Sequence, residues 1–192
     1  MLTLPLTKEQ FSDLLNLYYG VFFPLKHFVN KKYFKSILIS KKFRNNFFPL
    51  PIYLGITKKK YNKIKDEKFL KLTFERKLIG VIKINSFYQI SSTILKKKFF
   101  SKNHQKHPYY KKFLKENFKL LDFEYKKIIK INLKHKNFIS PNNFKRKIKK
   151  ILKKDEMIAG FHTRNVPHRA HQWAHFFMLN KYKNLLIQPL IG

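Results

Sequence analysis

Hydrophobic residues in the first third of the chain recur every three to four positions in two segments. This spacing predicts an amphipathic helix over residues 8–19, which Gly20 ends, and a short helix over residues 31–40. Pro24 and the proline-containing segment 47–54 favour turns and extended backbone, because proline biases the residue before it away from the helical region. We therefore expect short helices mixed with extended segments.

The next apolar segments have the composition of β-strands. Residues 69–74 and 77–87 are rich in β-branched and aromatic side chains and are separated by Glu75 and Arg76. They predict two strands joined by a turn. Because helical patterns are few in this region, we expect a small β-barrel-like domain that extends to about residue 137.

The pattern changes after residue 138. Ser140 and Pro141 are typical of a helix start, and one apolar face continues to about Lys154. Three further elements are predicted: a strand over 157–161, a helix over 167–181 with Asn165 or Val166 near its cap, and a strand over 185–191. This order is typical of the βαβ unit of a parallel sheet. We expect a first domain over 1–138 and the incomplete start of a second over 139–192.

The composition is that of a folded protein without cysteine. Hydrophobic residues make up 44% and aromatic residues 17% of the chain, which is enough for a packed core. The lack of cysteine excludes disulfides, thiolate metal sites and a cysteine nucleophile. No signal-peptide pattern is evident, and no apolar segment approaches the roughly 20 residues that span a bilayer. We expect a cytoplasmic protein without a membrane partner.

The net charge of +33 raises the question of nucleic-acid binding. Only five of the 43 basic residues are arginines, and the lysines are scattered in short groups. A surface that grips a phosphate backbone is expected to cluster its basic residues and to use arginine freely. Nucleic acid is therefore not an expected partner, although the positive field should attract anions.

Two of the five arginines, Arg164 and Arg169, fall in one short stretch where a predicted strand leads through a polar turn into a predicted helix. The free backbone N–H groups and the dipole of a helix start attract anions. Arg164 adds a planar fork that matches tetrahedral oxyanions, and the imidazoles of His168 and His171 add further donors. The segment predicts an oxyanion and nucleotide site.

These residues resemble the signature of the sulfate adenylyltransferases, also called ATP sulfurylases. The family pattern Gln-Thr-Arg-Asn-Pro-x-His-Arg-x-His stands here at residues 162–171. Four other segments resemble family motifs and follow the same order. Residues 20–29 resemble the family's Gly-x-Phe-x-Pro-Leu-x-Gly-Phe-Met, and residues 48–52 resemble its Pro-Ile segment. Residues 106–108 resemble its His-Pro-Gly site, and residues 190–192 resemble its strand that ends in Val-Gly. The resemblance spans nearly the whole chain.

The resemblance implies an α+β fold followed by α/β: a PUA-like β-barrel domain, then the first βαβ part of a Rossmann-like nucleotidylyltransferase domain. It implies a reaction in which sulfate attacks the α-phosphate of ATP in line, giving adenylyl sulfate and pyrophosphate. ATP and sulfate would be the partners, with Mg²⁺ carried by the ATP and no tightly bound protein metal. A homo-oligomer remains open.

The resemblance also assigns roles to individual residues. Arg164 would bind sulfate, Asn165 would contact the α-phosphate, and Thr163 would complete that inner shell. His168 and His171 would stabilise the charge that grows on the leaving pyrophosphate. Because sulfate needs no base to deprotonate it, such a site can work without a catalytic carboxylate or serine.

The chain departs from the family pattern at several positions. His162 replaces the usual Gln and is still expected in the site, Pro167 lies one position later than the family's proline, and Tyr109 replaces a Gly. The family's second nucleotide motif, Gly-Arg-Asp-His-Ala-Gly, would lie downstream of residue 192. We therefore expect the 192-residue chain to be inactive or nearly so by itself.

Several residues near the motif have alternative interpretations. His168, His171 and His175 share a helical face and would suit zinc, but no carboxylate or Cys is near to complete the ligand set. We expect His175 to be an ordinary helix residue, while Arg169 fits a phosphate ligand or a structural ion pair equally. His107 is expected on a surface loop. Four apolar residues are expected to pack on the sheet: Trp173, Phe176, Phe177 and Leu179.

Three classes of function remain open. The first is an adenylyltransferase that uses ATP and sulfate. The second is a catalytically incomplete fragment or subunit, completed by another chain. The third is an RNA-binding module, because PUA-like barrels elsewhere bind RNA and the chain is strongly basic.

Overall fold

The structure is a computed structural model and describes residues 1–100, 107–129 and 139–190. The chain divides into two compact units, Met1–Phe138 and Ile139–Gly192. Parts of two motif matches, Lys106 and the pair Ile191 and Gly192, lie outside the described residues.

Helices of the first unit begin at polar side chains that cap them. Helices α1 (Lys8–Tyr18), α2 (Lys31–Ser40) and α3 (Lys58–Ile64) each follow a residue whose side chain accepts a first-turn backbone N–H: Thr7, Asn30 and Thr57. The predicted helices over 8–19 and 31–40 are confirmed, whereas the hydrophobic pattern does not indicate α3.

Two more helical segments follow in this unit. The short α4 (Ser92–Ile94) continues into a π-helical turn, Leu95–Phe99, and α5 (Pro108–Glu116) begins after His107. Nδ1 of His107 accepts the backbone N–H of Tyr109 at 3.2 Å, so this histidine caps a helix. The expectation of few helices is wrong, whereas His107 is exposed and outside the helix, as expected, and also serves as the N-cap of α5.

The described strands of the first unit form one large sheet and a small hairpin. The sheet comprises β1 (Thr3–Pro5), β4 (Leu54–Ile56), β5 (Phe69–Phe74), β6 (Lys77–Tyr88) and β7 (Lys119–Ile128). The hairpin comprises β2 (Lys42–Phe43) and β3 (Asn46–Phe47). In the sheet order β1-β5-β6-β7-β4, only the β1–β5 pairing is parallel. The predicted β5–β6 pair and its turn at Glu75 and Arg76 are confirmed.

In the described residues the predicted barrel is an open sheet. Its edges are β1 and β4, and no pairing joins them. Closure requires strands long enough to continue the staggered pairing around the barrel, and each edge strand has three residues. Such short edges also offer few free backbone groups to another strand.

One hydrophobic core holds the first unit together. Leu14 of α1, Phe34 of α2, and Leu70, Ile82 and Leu121 of the sheet belong to it, and all are buried. Among the described residues, no polar or charged side chain other than tyrosine is buried. Burial of apolar surface is therefore the main stabilising contribution in this unit.

The second unit is a βαβ arrangement preceded by a helix. Helix α6 (Pro141–Ile151) is capped by Ser140, and β8 (Ile158–Thr163), α7 (Arg169–Tyr182) and β9 (Asn184–Pro189) follow. Strands β8 and β9 are parallel, as predicted. None of its described residues is fully buried.

Two expectations about α7 are wrong. The helix begins at Arg169 with His168 as its N-cap, later than a start at 167 with Asn165 or Val166 near the cap. Its half-buried side chains are those of His171, Ala174, His175, Met178 and Tyr182, which share one helical face. The large apolar residues lie elsewhere on the helix: Trp173, Phe176, Phe177 and Leu179 are 70%, 58%, 59% and 37% exposed. A two-stranded sheet covers only one face of the helix, and that face carries the histidines.

Candidate functional site

The candidate site lies where β8 ends and α7 begins. Thr163 is the last residue of β8, and its carbonyl accepts the backbone N–H of Leu190 at 2.7 Å. This bond extends the parallel register, in which Thr163 pairs with Pro189. The sheet therefore fixes the point from which the turn departs.

A short-range hydrogen bond shapes the turn. Oγ1 of Thr163 accepts the backbone N–H of Asn165 at 3.1 Å, which curls the chain directly after the strand. Arg164 and Asn165 are exposed at this curl, as is Val166. The turn thus presents a guanidinium and a carboxamide to solvent beside the strand end.

The start of α7 keeps its first-turn N–H groups free of a side-chain cap. The carbonyl of His168 accepts the N–H of Gln172 at 3.1 Å, but its imidazole accepts none of the first-turn donors. The first turn carries no acidic residue. Uncapped donors and a helix dipole without a local carboxylate favour a bound anion.

Three histidines, which we call the histidine row, lie at the N-cap of α7 and on its first two turns: His168, His171 and His175. The ring centroids of His168 and His171 are 4.0 Å apart, and those of His171 and His175 are 6.4 Å apart with nearly parallel planes. Phe161 of β8 contacts the last two, with centroids 5.3 Å from His171 and 4.5 Å from His175. The strand therefore helps to hold the row in place.

The environment of His171 disfavours its charged form. Burial lowers the pKa of its imidazole, and His168 and His175 lower that pKa further because charges on neighbouring rings would repel. Nδ1 of His171 and Nε2 of His175 are buried atoms without a hydrogen-bond partner.

An open cleft of about 440 Å³ lies against the row. It is lined by Pro167, His168, Arg169, His171, Gln172, His175 and Phe176. His168 and His171, both predicted site residues, lie together here, and Arg169 joins them. Within the described part of the chain, no group of three His, Cys, Asp or Glu side chains could hold a metal ion.

The other predicted site residues lie outside the lining of this cleft. Thr163 and Asn165 are joined by their hydrogen bond, whereas His162 and Arg164 are exposed and do not line it. Sequence reasoning missed the contribution of His175 to the cleft and the contact from Phe161. The spacing of His175 from His168 was a usable signal, but the Phe161 contact depends on how β8 packs against α7.

Comparisons with known proteins agree with the motif. Residues 1–121 match a family model described as a PUA-like domain, and residues 135–192 match one described as ATP-sulfurylase. No described helix of the chain has both the length and the hydrophobicity to span a membrane.

Curated relatives named sulfate adenylyltransferase match over nearly the whole chain. The protein from Halothermothrix orenii is 25% identical over 195 residues, which is 97% of this chain and 50% of the relative. The protein from Carboxydothermus hydrogenoformans is also 25% identical, over 100% of this chain and 51% of the relative. That from Staphylothermus marinus is 23% identical over 99% of this chain and 50% of the relative. The chain thus spans about half the length of these relatives.

A solved structure shares the fold. The hexameric APS kinase from Thiobacillus denitrificans superposes with a TM-score of 0.65 and 15% sequence identity. The match covers 100% of this chain and 34% of that one. At this identity the similarity concerns the fold alone.

Proposed function

Because this chain belongs to the sulfate adenylyltransferase family, we propose that its second unit supplies the oxyanion-binding part of an ATP- and sulfate-using active site. The observation that carries the proposal is the exposed Arg164 beside a helix start with uncapped N–H groups and two stacked histidines. In this proposal residues 1–138 form the PUA-like domain. Residues 139–192 begin a Rossmann-like catalytic domain.

In the proposed reaction an oxygen of sulfate attacks the α-phosphorus of ATP. The new S–O–P bond forms as the bond from the α-phosphorus to the bridging oxygen breaks, and pyrophosphate leaves with that electron pair. Arg164 holds the sulfate by its planar fork, and Asn165 contacts the α-phosphate. Thr163 keeps Asn165 in place through their hydrogen bond.

The leaving group is stabilised by the helix start. Negative charge accumulates on the pyrophosphate as it departs. His168, His171 and the N–H groups of α7 are hydrogen-bond donors that would stabilise this charge. Mg²⁺ would be carried by the ATP phosphates and water, which suits a site without protein carboxylates. His162, at the strand end, is a further donor to this site.

We propose that this chain needs a further part of the catalytic domain for turnover. Two observations support this: the relatives are about twice as long, and the large apolar side chains of α7 are exposed. A nucleotide site on a parallel sheet draws contacts to base and ribose from several strand ends, and the described second unit has two strands. The missing contacts could come from the same polypeptide or from a separate subunit.

Replacement of Arg164 by Lys tests the assignment of the sulfate site. We expect sulfate affinity of the full chain to fall about tenfold or more, because lysine keeps the charge but loses the bidentate geometry. Arg146→Lys, on the exposed surface of α6, is the matched control and should bind like the unaltered chain. Calorimetric titration with sulfate at constant ionic strength measures the affinity.

A second measurement tests the reaction itself. Sulfate-dependent release of pyrophosphate from ATP should appear when the chain is assayed with the rest of the catalytic domain. Arg164→Ala should lower that rate by a factor that corresponds to about 2–4 kcal/mol of transition-state stabilisation. Equal rates with and without Arg164, in a preparation that turns over, would rule out its role.

A further inference from the structure

The sheet-facing position of His175 is unexpected for an ordinary helix residue. Its ring meets Phe161 edge to face, at 4.5 Å and 86°, and lies parallel to that of His171. His171 meets the same phenylalanine at 5.3 Å. Phe161 and His175 therefore pack around His171 on the side where the helix faces the strand.

Two nitrogen atoms in this arrangement are buried without a partner: Nδ1 of His171 and Nε2 of His175. An imidazolium carries N–H groups on both nitrogens, so protonation of either ring would bury an N–H that has no acceptor. A neutral ring avoids burying a charge, and with its proton on the other nitrogen it leaves a bare acceptor at the buried position, which proteins tolerate better than a buried N–H without an acceptor. The tautomer follows from which nitrogen is buried.

We infer that His171 is held neutral with its proton on Nε2, and that His175 is the positioning residue that keeps it in that form. His175 is itself neutral, with its proton on Nδ1. His168, the third member of the histidine row, is the exposed N-cap of α7. This inference concerns the proposed oxyanion site, and its functional consequence rests on that proposal.

The charged and titratable groups around His171 agree with a neutral ring. At the N-cap and on α7 these are His168, Arg169 and His175. Strand β8 contributes His162, the turn contributes Arg164, and β9 carries no ionisable side chain. The carboxylate of Glu156 accepts a hydrogen bond from Asn184, at the other end of the strands. No acid on these strands or this helix could stabilise an imidazolium at His171.

This arrangement gives the site two different kinds of donor. A neutral Nε2–H at His171 remains a hydrogen-bond donor throughout the neutral and alkaline range, where an imidazolium would lose its charge. His168 is an exposed donor, and it is the one member of the row that the inference does not hold neutral. Oxyanion binding in the cleft is therefore linked to the uptake of no more than one proton by the row.

Imidazole nitrogen spectra test the assignment directly in the full chain. With histidine labelled with ¹⁵N, we expect His171 to show a pyrrole-like Nε2 and a pyridine-like Nδ1, and to stay neutral as the pH falls through the ordinary titration range of histidine. The signal is assigned by its loss in His171→Gln. A protonated Nδ1 at neutral pH, or a charged ring within that ordinary range, would overturn the inference.

Two substitutions separate burial from imidazole chemistry at residue 175. His175→Phe keeps an aromatic ring against Phe161 and should leave the His171 tautomer unchanged. His175→Ala exposes Nδ1 of His171 to water, so the Nδ1–H tautomer should appear and the ring should charge at higher pH. An unchanged His171 spectrum in a folded His175→Ala variant would remove the positioning role.

Sulfate affinity gives a second readout, because sulfate stays a dianion over the pH range used. In the unaltered chain and in His175→Phe, the sulfate affinity should fall by no more than about tenfold for each unit that the pH rises, which is the limit for one linked proton. In His175→Ala the affinity should fall more steeply, towards about a hundredfold per pH unit, because a second ring can then take up a proton. If sulfate does not bind while the spectra show neutral His171, the proposed function fails and the tautomer assignment stands.

Discussion

Asp13 is a half-buried carboxyl of α1 whose environment penalises its charge. Burial, with a smaller contribution from the nearby charge of Glu9, raises the pKa of Asp13 to about 6. The folded protein therefore holds this proton more tightly than the unfolded chain does. The stabilising contribution of the protonated carboxyl is complete below about pH 4 and is lost as the pH rises through about 6.

Asp13→Asn should therefore stabilise the protein in a pH-dependent way. We expect the free energy of unfolding at pH 8 to rise by about 1 kcal/mol, allowing for solvent screening at a half-exposed group, with little change at pH 4. Urea unfolding at the two pH values measures this. Asp66→Asn, at an exposed position, is the control and should change neither value. The same gain at both pH values would show that the charge of Asp13 is not the cause.

At the scale of single residues, the sequence predicts chemistry that depends on neighbours along the chain. The Thr163–Asn165 hydrogen bond spans two residues, and the spacing of His168 and His171 follows from helix geometry. The role of His175 depends instead on Phe161, fourteen positions earlier and on another element. No local sequence pattern predicts which face of the helix packs against the strand, so the role of His175 can be inferred only from the packed structure.

Among the elements, the β5–β6 hairpin has an unusual turn. Glu75 and Arg76 both have positive φ, 47° and 64°, as a two-residue turn of the tightest kind requires. Asn-Gly is the sequence that best fits such a turn, since the left-handed region is unfavourable for long side chains. The protein therefore carries backbone strain at this position.

Replacement of the pair by Asn-Gly should relieve the strain. We expect the double variant Glu75→Asn, Arg76→Gly to raise the free energy of unfolding by about 1 kcal/mol, after the larger unfolded-state entropy of glycine is counted. Asn45→Gly, in the β2–β3 turn at a position without positive φ, should give no such gain. Thermal or urea unfolding measures both, and a loss of stability in the double variant would contradict the turn assignment.

Elements with strong local periodicity were predictable, and those defined by distant partners were not. α2 ends at Ser40 as its hydrophobic spacing predicts, and β5 and β6 are joined at the expected turn. The parallel pairing of β1 with β5 joins residues nearly seventy positions apart. The start of α7 was misplaced because Pro167 is typical of a first helical turn, yet here it lies before the N-cap.

For the whole molecule, the two units differ in how much apolar surface they bury. The first has a continuous core that joins its helices to the five-stranded sheet. The second has no fully buried described residue, and Trp173 stacks on Phe177 while both remain exposed. From the sequence alone, the aromatic residues of α7 predict a core, but the hydrophobicity of a side chain does not determine whether another element covers it.

The second unit should therefore open first. Local opening costs least where few apolar side chains are buried, and proteolysis of a folded chain follows the population of the opened form. Under brief digestion with a protease specific for aromatic residues, we expect cleavage at Trp173, Phe176 or Phe177 before any in the sheet of the first unit. Mass spectrometry of the products locates the cuts. Phe34 and Phe113, buried in the first unit, are internal controls that should remain uncut while the second unit is lost. Simultaneous cleavage of both units would contradict this order, since it would require them to unfold together although they bury different amounts of apolar surface.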